Sequence, residues 1–514
     1  MLAPTDASSE NILSERPPAK SLAFNQQNGR QTMQVMTALA VITALAAGLR
    51  FHQLGAKSLW LDEGVSVALC RMDWYNFARV LWRREMNMVL YYAMLRPWLH
   101  LGSSEAFIRT LSVIPSVGTV PLVYLLAKRL AGSAAGLAGA SLLAVHAFHV
   151  RYAQEARSYS LLTFLITLST LYFTRAVEEP SRRHWNRYAV ATALAAYAHF
   201  FALLVPVAHF LSLKFLPRQQ TAPRVEFMRA IRLMGILVLP LIIFVTTTGM
   251  GPIRWISKPT LWYLHIFLLS FTGNGGEVLL WAYAGCVLLG MAAAARVWII
   301  RHRSLESWRY GVVFTWLLAP LVITLAVSLI RAMFLGRYML ICVPALALVA
   351  GIGIASIRPR WIAAPVLATL MFLGVQGVRA YYVKDFDIVR DDWRGAAQYV
   401  LSNAQAGDAI IFRNVLGRMP FDYYERRFPS TAAKPTVVFP YHSDWRAIMG
   451  SPTPELLVEI SSQYRRVWVV FSGNITASGP DATSRMVKNT LAIRYPASQS
   501  RDFAGLQVLL YERQ

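Results

Sequence analysis

Charged side chains are scarce in this sequence: only 15% of its 514 residues are Asp, Glu, Lys or Arg. A water-soluble chain carries about 25% of them, so a soluble globular protein is excluded. Cysteine is scarcer still, and the spacing of Cys70, Cys286 and Cys342 fits neither a disulfide framework nor a zinc site. The less apolar C-terminal part has no glycine-rich phosphate-binding loop, and no nucleotide-sugar site is visible.

The sequence is instead rich in long apolar runs. Apolar residues make up 55% of the chain, and the mean hydropathy is +0.40. A helix of about 20 apolar residues crosses the ~30 Å hydrocarbon core of a bilayer. The pattern therefore predicts a polytopic α-helical membrane protein of about eleven spans, near residues 33–50, 107–127, 133–150, 158–177, 185–198, 200–216, 230–248, 277–298, 309–330, 336–356 and 361–380.

The chain is strongly basic, with 51 Lys and Arg against 27 Asp and Glu and a net charge of +24. In a soluble protein such an excess would indicate nucleic-acid binding. Here most basic residues lie in short loops between apolar runs, which is the positive-inside pattern of membrane proteins. We therefore expect no nucleic-acid partner and an N-terminus on the inner side. The short outer loops then contain only six basic residues, Arg151, Arg157, Arg254, Lys258, Arg331 and Arg337.

Residues 185–216 could form one long span or two short spans that meet at His199. With a single crossing, every later basic cluster would lie on the outer side. The positive-inside rule therefore favours a hairpin.

The apolar runs divide the chain into three regions. Residues 1–32 are polar and are expected to form a cytoplasmic tail, and residues 33–380 form the membrane domain. Its first outer loop, residues 51–106, is long, with short amphipathic helices at 73–79 and 89–95 that are predicted to lie in the membrane interface.

Residues 381–514 alternate between strand and helix patterns, which predicts an α/β domain on the outer face. The predicted strands are 409–412, 437–439, 467–471 and 506–511, and the predicted helices are 416–427 and 454–464.

Asp62 and Glu63 follow Trp60 and Leu61 just after the first span, in what we interpret as the chemical centre of the chain. A partly desolvated carboxylate in this place could act as a general base toward a hydroxyl acceptor. The alternative is a solvated pair in a loop. We prefer the first interpretation because an adjacent carboxylate pair beside aromatic and apolar residues is unusual at a membrane edge.

Two outer turns oppose the positive-inside trend. The turn at residues 151–159 carries Glu155 and Arg157, and the turn at 331–338 carries Arg337. Arginine binds phosphate well through its planar fork, so both turns are candidates for a phosphate site, and Glu155 could hold Arg157, a sugar hydroxyl or a metal. The alternatives are an interfacial anchor for the first turn and lipid-headgroup contact for the second.

Other polar residues have structural alternatives. His146, His149 and His199 lie on apolar segments, where a single histidine is usually structural. The acidic residues of the run at 391–394 resemble a helix N-cap.

Six short motifs occur in order along much of the chain. They are 59–63 (LWLDE), 90–92 (LYY), 107–112 (FIRTLS), 152–159 (YAQEARSY), 197–201 (YAHFF) and 336–338 (GRY), and 392–394 (DWR) follows before the C-terminal domain. Together they resemble the GT-C membrane glycosyltransferases, and most of all the group of protein mannosyltransferases and lipid A aminoarabinose and galacturonic acid transferases. One departure is at residues 87–89, which read Asn-Met-Val where a His-Pro-Pro-like run is common, so no contact is inferred for that position.

The resemblance implies a GT-C helical bundle and inverting transfer of a sugar from a polyprenyl-phosphate donor. It implies Asp62 as the base, Glu63 and Glu155 as residues that shape the acceptor or sugar site, and Arg157 and Arg337 as ligands of the leaving phosphate. Four further substrate-site candidates follow from the same motifs, namely Tyr92, Tyr152, His199 and Tyr338.

The resemblance also implies partners and a location. They are the lipid-linked donor, an envelope glycan, lipid or protein acceptor, membrane lipid, and the inner membrane with the C-terminal domain on the periplasmic side. No metal site is assigned. A divalent metal is compatible with the sequence but not required by it, and Asp385 and Asp387 have the spacing of a weak Asp-x-Asp motif.

Three other functions fit parts of the pattern. A lipid-linked glycan polymerase or ligase would also use outer arginines, and a non-catalytic relative would bind polyprenyl phosphate without needing Asp62. A transporter of lipid-linked sugars would instead place ionisable residues at mid-span. The carboxylate pair after the first span favours the single-sugar transferase.

Overall fold

The computed structural model shows a helical bundle followed by a mixed α/β domain. It describes residues 19–248, 256–383, 391–429, 433–440, 450–473, 475–476 and 479–513. The predicted cytoplasmic tail, 1–32, therefore lies mostly outside the described residues, as do Arg254, Asp385 and Asp387.

Seventeen α-helices lie between residues 19 and 383 in the described part of the chain. They are α1 (Ala19–Phe51), α2 (Leu61–Cys70), α3 (Trp74–Val80), α4 (Val89–Leu101), α5 (Glu105–Ala131), α6 (Ser133–Ala144), α7 (Ala147–Ala153), α8 (Tyr159–Glu178), α9 (Arg182–Ala198), α10 (Leu204–Ser212), α11 (Ala222–Leu237), α12 (Leu239–Thr248), α13 (Leu261–Phe271), α14 (Gly276–Ile300), α15 (Leu305–Ile330), α16 (Val343–Ser356) and α17 (Arg360–Val383). Short π- or 3₁₀-helical turns extend or join them at Leu81–Glu85, Met86–Met88, Phe200–Leu203, Leu213–Phe215 and Gly336–Cys342.

The described residues include seven helices long and apolar enough to cross a bilayer, and up to nine spans if each of two bent helix pairs counts as one. The bent pairs are α6 with α7, at 59°, and α11 with α12, at 60°. The other two predicted spans form α9 and the shorter apolar helix Phe200–Phe215. The number eleven remains a prediction.

Residues 185–216 fold as a helical hairpin, and its two crossings of the membrane stay a prediction. Helix α9 ends at Ala198, and His199 has an extended backbone, with φ −170° and ψ 135°. On either side of this break, Tyr188 and His209 are hydrogen bonded, with 3.1 Å between the phenol oxygen and Nδ1. Both residues lie about ten positions from His199, so α9 and α10 run in opposite directions.

The bend between α6 and α7 is stabilised by a buried arginine. A helix end leaves carbonyl oxygens without partners, and Arg50 donates hydrogen bonds to the carbonyls of Leu143 and Ala144 at distances of 3.2 and 2.9 Å. Its other contacts include His149 Nδ1 at 2.8 Å. His146 Nε2 lies 3.2 Å from the carbonyl oxygen of Phe271. These contacts link α7 to α1 and α13, and together with Arg50 the two histidines orient α7 toward the turn that follows it.

The long first loop folds into helices. The predicted helix at 73–79 is α3, and the one at 89–95 is the first half of α4. Helix α2 was not predicted, and it changes the interpretation of Asp62 and Glu63, which lie in its first turn rather than in an irregular loop. Carboxylates are favourable there because the first turn exposes unpaired N–H groups.

The C-terminal domain contains α18 (Trp393–Asn403), α19 (Val415–Glu425), α20 (Pro454–Gln463) and α21 (Ala482–Ala492). Its strands are β1 (Ala409–Phe412), β2 (Thr436–Phe439), β3 (Arg466–Ser472), β4 (Ile475–Thr476), β5 (Gly479–Pro480), β6 (Ala497–Phe503) and β7 (Leu506–Glu512). The main sheet has the order β2-β1-β3-β7-β6, in which β2, β1 and β3 are parallel. All four predicted strands and both predicted helices are confirmed.

This domain packs against the loop that leads into α2. The backbone N–H of Arg394 donates to Ser58 Oγ at 3.0 Å, and its guanidinium donates to the carbonyl of Gly55 at 2.9 Å. The Tyr424 hydroxyl accepts the Leu59 N–H at 2.8 Å. The segment before α2 is therefore held by residues more than 330 positions further along the chain.

Helix α2 itself also touches the C-terminal domain. Gly64 lies against Pro420 of α19, and a Cβ on Gly64 would fall 2.7 Å from the proline Cβ. No side chain fits between them. Asp392 caps α18 by accepting the Gly395 N–H at 2.9 Å, which confirms the N-cap interpretation.

Candidate active site

The two carboxylates of α2 face different surroundings. Adjacent helical residues point about 100° apart, since a turn takes 3.6 residues. Glu63 is fully buried. Its Oε1 accepts from Arg109 Nε at 2.8 Å, and its Oε2 accepts from Arg109 Nη2 at 2.7 Å. The Ala156 N–H also donates to Glu63, at 2.8 Å.

Glu63 thus connects α2, α5 and the turn before α8. Both of its oxygens accept hydrogen bonds from protein donors. The role of Glu63 in shaping the acceptor or sugar site stays a prediction. Its partner Arg109 further holds the loop before α2 by donating to the carbonyls of Leu54, Lys57 and Ser58, at 2.9 Å in each case.

The change Glu63→Gln is expected to destabilise the protein by about 3–5 kcal/mol, because it leaves the buried Arg109 charge without its counter-charge. The thermal unfolding midpoint in detergent measures this. Glu226→Gln is the matched control, since it breaks an exposed pair with Arg229, which is worth about 0–1 kcal/mol. A Glu63→Gln protein that unfolds like wild type but transfers no sugar would show a direct chemical role instead.

Asp62 points the other way, into a cluster of arginines. Its side chain is 27% exposed, and Oδ2 lies 3.6 Å from Arg157 Nη2 and 3.7 Å from Arg337 Nη1. The three residues come from α2, from the turn between α7 and α8, and from the turn Gly336–Cys342. Three motifs that are far apart in sequence therefore meet at one carboxylate.

Arg157 is held in place by two hydroxyl groups. Its Nη1 donates to the Tyr92 hydroxyl at 3.1 Å and to Ser66 Oγ at 3.3 Å. Tyr92 in turn donates to Glu85 Oε2 at 3.2 Å. The predicted substrate-site residue Tyr92 thus joins Arg157 to a carboxylate that was not predicted.

Glu85 is the residue that sequence reasoning missed. Burial raises the pKa of its carboxyl group, and the positive charge of Arg157 opposes this shift. A signal was present, since Glu85 is the only acidic residue between Asp73 and Glu105 in the first loop. It gives no periodic pattern and lies next to Arg84, so nothing in the sequence separates it from an ordinary surface pair.

An aromatic wall borders the cluster. The ring centroid of His199 lies 4.6 Å from that of Tyr338 and 6.1 Å from that of Tyr159, and Tyr159 lies 5.1 Å from Tyr152. The predicted substrate-site residues Tyr152, His199 and Tyr338 therefore lie along one continuous surface beside the arginines. Tyr159 joins them.

The tautomer of His199 follows from its backbone contact. Its Nδ1 accepts the Phe201 N–H at 3.3 Å, so in the neutral ring the proton is on Nε2. Within the described residues, this buried Nε2 has no hydrogen-bond partner. A buried donor without a partner is costly, so a bound molecule with an acceptor oxygen would remove that cost.

The role of Glu155 toward Arg157, a sugar hydroxyl or a metal stays a prediction. Glu155 is buried, and its Oε1 lies 3.6 Å from Arg151 Nε. Asn87, in the motif that departs from the family pattern, accepts the Phe200 N–H at 3.0 Å. Its side chain thus fixes the break that carries His199.

The C-terminal domain brings one more carboxylate near the cluster. Burial raises the pKa of Asp391 to about 6, the negative charge of Asp62 adds to the rise, and a hydrogen bond from Trp393 Nε1 opposes it. In the part of the chain that the structure describes, no group of three or more His, Cys, Asp or Glu side chains could hold a metal ion.

The chain is similar to proteins of known family and known structure. Residues 88–248 match the family described as dolichyl-phosphate-mannose-protein mannosyltransferase. The chain is similar to apo ArnT from Cupriavidus metallidurans, with a TM-score of 0.63 and 12% identity over 92% of this chain and 97% of that one. ArnT from the same organism bound to undecaprenyl phosphate gives a TM-score of 0.60 at the same identity and coverage.

The oligosaccharyltransferase of Archaeoglobus fulgidus, in complex with Zn and sulfate, is also similar. Its TM-score is 0.54 at 10% identity, over 84% of this chain and 67% of that one. No curated protein sequence matches significantly. The likeness to ArnT extends over nearly all of both chains, so it includes the bundle and the C-terminal domain.

Proposed function

We propose that this chain, which has the GT-C fold of membrane glycosyltransferases, transfers one sugar from a polyprenyl-phosphate donor to a cell-envelope acceptor. The observation that carries the proposal is the pair Arg157 and Arg337 around Asp62. Two arginine forks fit a phosphate group. Both lie at the ends of membrane helices, where the phosphate of a membrane-anchored lipid would lie.

The charges of the cluster indicate how donor binding would begin. Asp62 lies 3.6 and 3.7 Å from the two arginines, which is longer than a direct hydrogen bond. A donor phosphate would attract both guanidinium groups more strongly than the distant carboxylate does. Asp62 would then be released toward the acceptor.

The reaction would be an inverting displacement. The acceptor oxygen forms a bond to the anomeric carbon while the bond from that carbon to the phosphate oxygen breaks. The acceptor proton passes to Asp62, and Arg157 and Arg337 stabilise the negative charge that grows on the phosphate. Tyr92 and Glu85 would keep Arg157 in position. Glu63 would hold the main chain beside Arg157 through its hydrogen bond with the Ala156 N–H.

The charge pattern also supports a sidedness proposal. The loop 51–106 and the C-terminal domain lie on one face, because Arg394 and Tyr424 bind residues 55–59. The excess of arginine in the opposite loops favours the outer, periplasmic face of the inner membrane for the site.

The proposal predicts a defined change in the cell envelope. A deletion strain should lack one envelope species that differs by the mass of a single sugar, and the wild-type gene should restore it, as mass spectrometry of envelope glycolipids and glycans would show. A gene encoding both Arg157→Ala and Arg337→Ala should not restore the missing species. Loss of a ladder of repeated masses would instead indicate a polymerase, and an unchanged envelope would refute the proposal.

His199 is expected to contribute one hydrogen bond to the donor. His199→Phe keeps a ring beside Tyr338 but removes the Nε2 proton, and a hydrogen bond to a charged group is worth about 1.5–3 kcal/mol. We therefore expect single-turnover transfer to fall by about 10- to 150-fold. His199→Gln can place an amide N–H close to the same point and should recover part of the rate. Equal rates for wild type and His199→Phe would show that the ring is only structural.

A further inference from the structure

A groove between α8 and α9 lies outside the candidate active site. It encloses a volume of about 580 Å³. Its walls are apolar, with Leu165 and Leu168 from α8 and Val190 and Leu194 from α9. At one end, three arginines border it, Arg182, Arg183 and Arg187.

The arginines lie at the membrane surface opposite the candidate site. Helix α8 begins at Tyr159, two residues after Arg157, and has 20 residues. At 1.5 Å per residue this helix is about 30 Å long, which is the thickness of the hydrocarbon core. Helix α9 begins at Arg182, just after α8 ends. A ligand of these arginines therefore occupies a different leaflet from the donor lipid.

The three arginines are not neutralised by the nearest acidic residues. Glu178 pairs with Arg129 and, at 2.7 Å, with Arg309, while Glu179 pairs with Arg129 at 2.6 Å. Among the described residues, Arg182 and Arg183 make no ion pair. The guanidinium of Arg187 lies 5.8 Å from the centre of the Tyr172 ring, which leaves its charge available to an anion.

The length of the groove fits one acyl chain. From Arg183 to Leu194, α9 advances eleven residues, or about 17 Å. This is close to half of the ~30 Å hydrocarbon core, the depth of one leaflet. The groove is basic where a lipid phosphate would lie and apolar where its chain would follow.

We propose that this groove binds an anionic phospholipid, with the phosphate at Arg182, Arg183 and Arg187 and one acyl chain between α8 and α9. Arginine forks match phosphate oxygens, and basic pockets between membrane helices bind anionic headgroups. The lipid would brace both helices whose other ends carry Arg157 and His199. This inference does not depend on the proposed reaction.

Thermal unfolding of the purified protein in detergent tests which lipid headgroup the groove binds. Phosphatidylglycerol is expected to raise the unfolding midpoint, whereas phosphatidylcholine with the same chains and inorganic phosphate are not. The triple variant Arg182→Gln, Arg183→Gln, Arg187→Gln should lose this rise. Its matched control is Arg218→Gln, Arg296→Gln, Arg360→Gln, which removes three exposed arginines from other parts of the chain and should keep the rise.

A tryptophan that fills the groove tests whether the acyl chain of the lipid lies there. Val190 is 44% exposed in the groove, and Val207 is 42% exposed on α10. Val190→Trp should abolish the rise given by phosphatidylglycerol, and Val207→Trp should not. An equal rise with phosphatidylcholine or with inorganic phosphate, an equal loss in the control triple variant, or a full rise in Val190→Trp would overturn the proposal. Displacement of phosphatidylglycerol by polyprenyl phosphate would assign the groove to the donor lipid instead.

Discussion

Replacing Asp62 by asparagine is expected to lower single-turnover sugar transfer by about 10²- to 10⁴-fold, the usual contribution of a positioned general base. Asparagine keeps the size of the side chain but cannot take the acceptor proton. Donor binding should be equal to or tighter than that of wild type, because Arg157 and Arg337 lose the carboxylate that competes with the phosphate. Rapid-quench transfer and donor-binding affinity, both in detergent, measure the two effects separately.

The acceptor decides the size of this effect. A hydroxyl must lose its proton as the new bond forms, whereas a phosphate or carboxylate acceptor is already ionised at neutral pH and needs no base. Transfer at the wild-type rate by Asp62→Asn would remove Asp62 from the catalytic residues. Weaker donor binding would contradict the proposal that the donor phosphate replaces Asp62 as the partner of Arg157 and Arg337.

Removing either arginine is the second large effect. Arg157→Ala and Arg337→Ala are each expected to lower transfer by about 10²- to 10³-fold, as for other groups that stabilise developing negative charge. The loss should be greater for Arg157, whose Nη1 also binds Tyr92 and Ser66. Lysine at either position should restore only part of the rate, because it lacks the planar fork.

Arg331 provides the control for this experiment. It lies in the same turn as Arg337, between α15 and α16, but is exposed, so Arg331→Ala should transfer sugar at close to the wild-type rate. All three variants should unfold at similar temperatures. Full activity of both Arg157→Ala and Arg337→Ala with a polyprenyl-phosphate sugar would show that the phosphate binds elsewhere.

Much of the bundle could be predicted because its signals are local. Apolar runs mark membrane helices, and the predicted GT-C fold is confirmed by the likeness to ArnT. The hairpin at His199 was predicted from the charge of loops far along the chain, because one crossing instead of two would place every later basic cluster on the other side. Strand β6 was missed because it is an exposed, polar edge strand, which carries no apolar pattern.

The site was harder to predict because it depends on the direction in which each side chain points. Motifs placed Asp62 and Glu63 side by side, but only the helix shows that one faces Arg157 and the other Arg109. Glu85 belongs to the cluster through Tyr92, a contact that no spacing in the sequence indicates. The contacts of Arg394 and Tyr424 with residues 55–59 depend on how two separate parts of the chain pack.

Those last contacts also impose an order on biosynthesis. Arg394 is 336 residues beyond its partner Ser58, and Tyr424 is 365 residues beyond Leu59. At ribosomal rates of about 5–20 residues per second, the segment before Asp62 waits roughly 20–70 s for the first of these partners to be synthesised. During that time the chain already holds its motifs in the membrane, but nothing from the C-terminal domain fixes them. The candidate site is therefore among the last features of the protein to be completed, although its central carboxylate is among the first to be made.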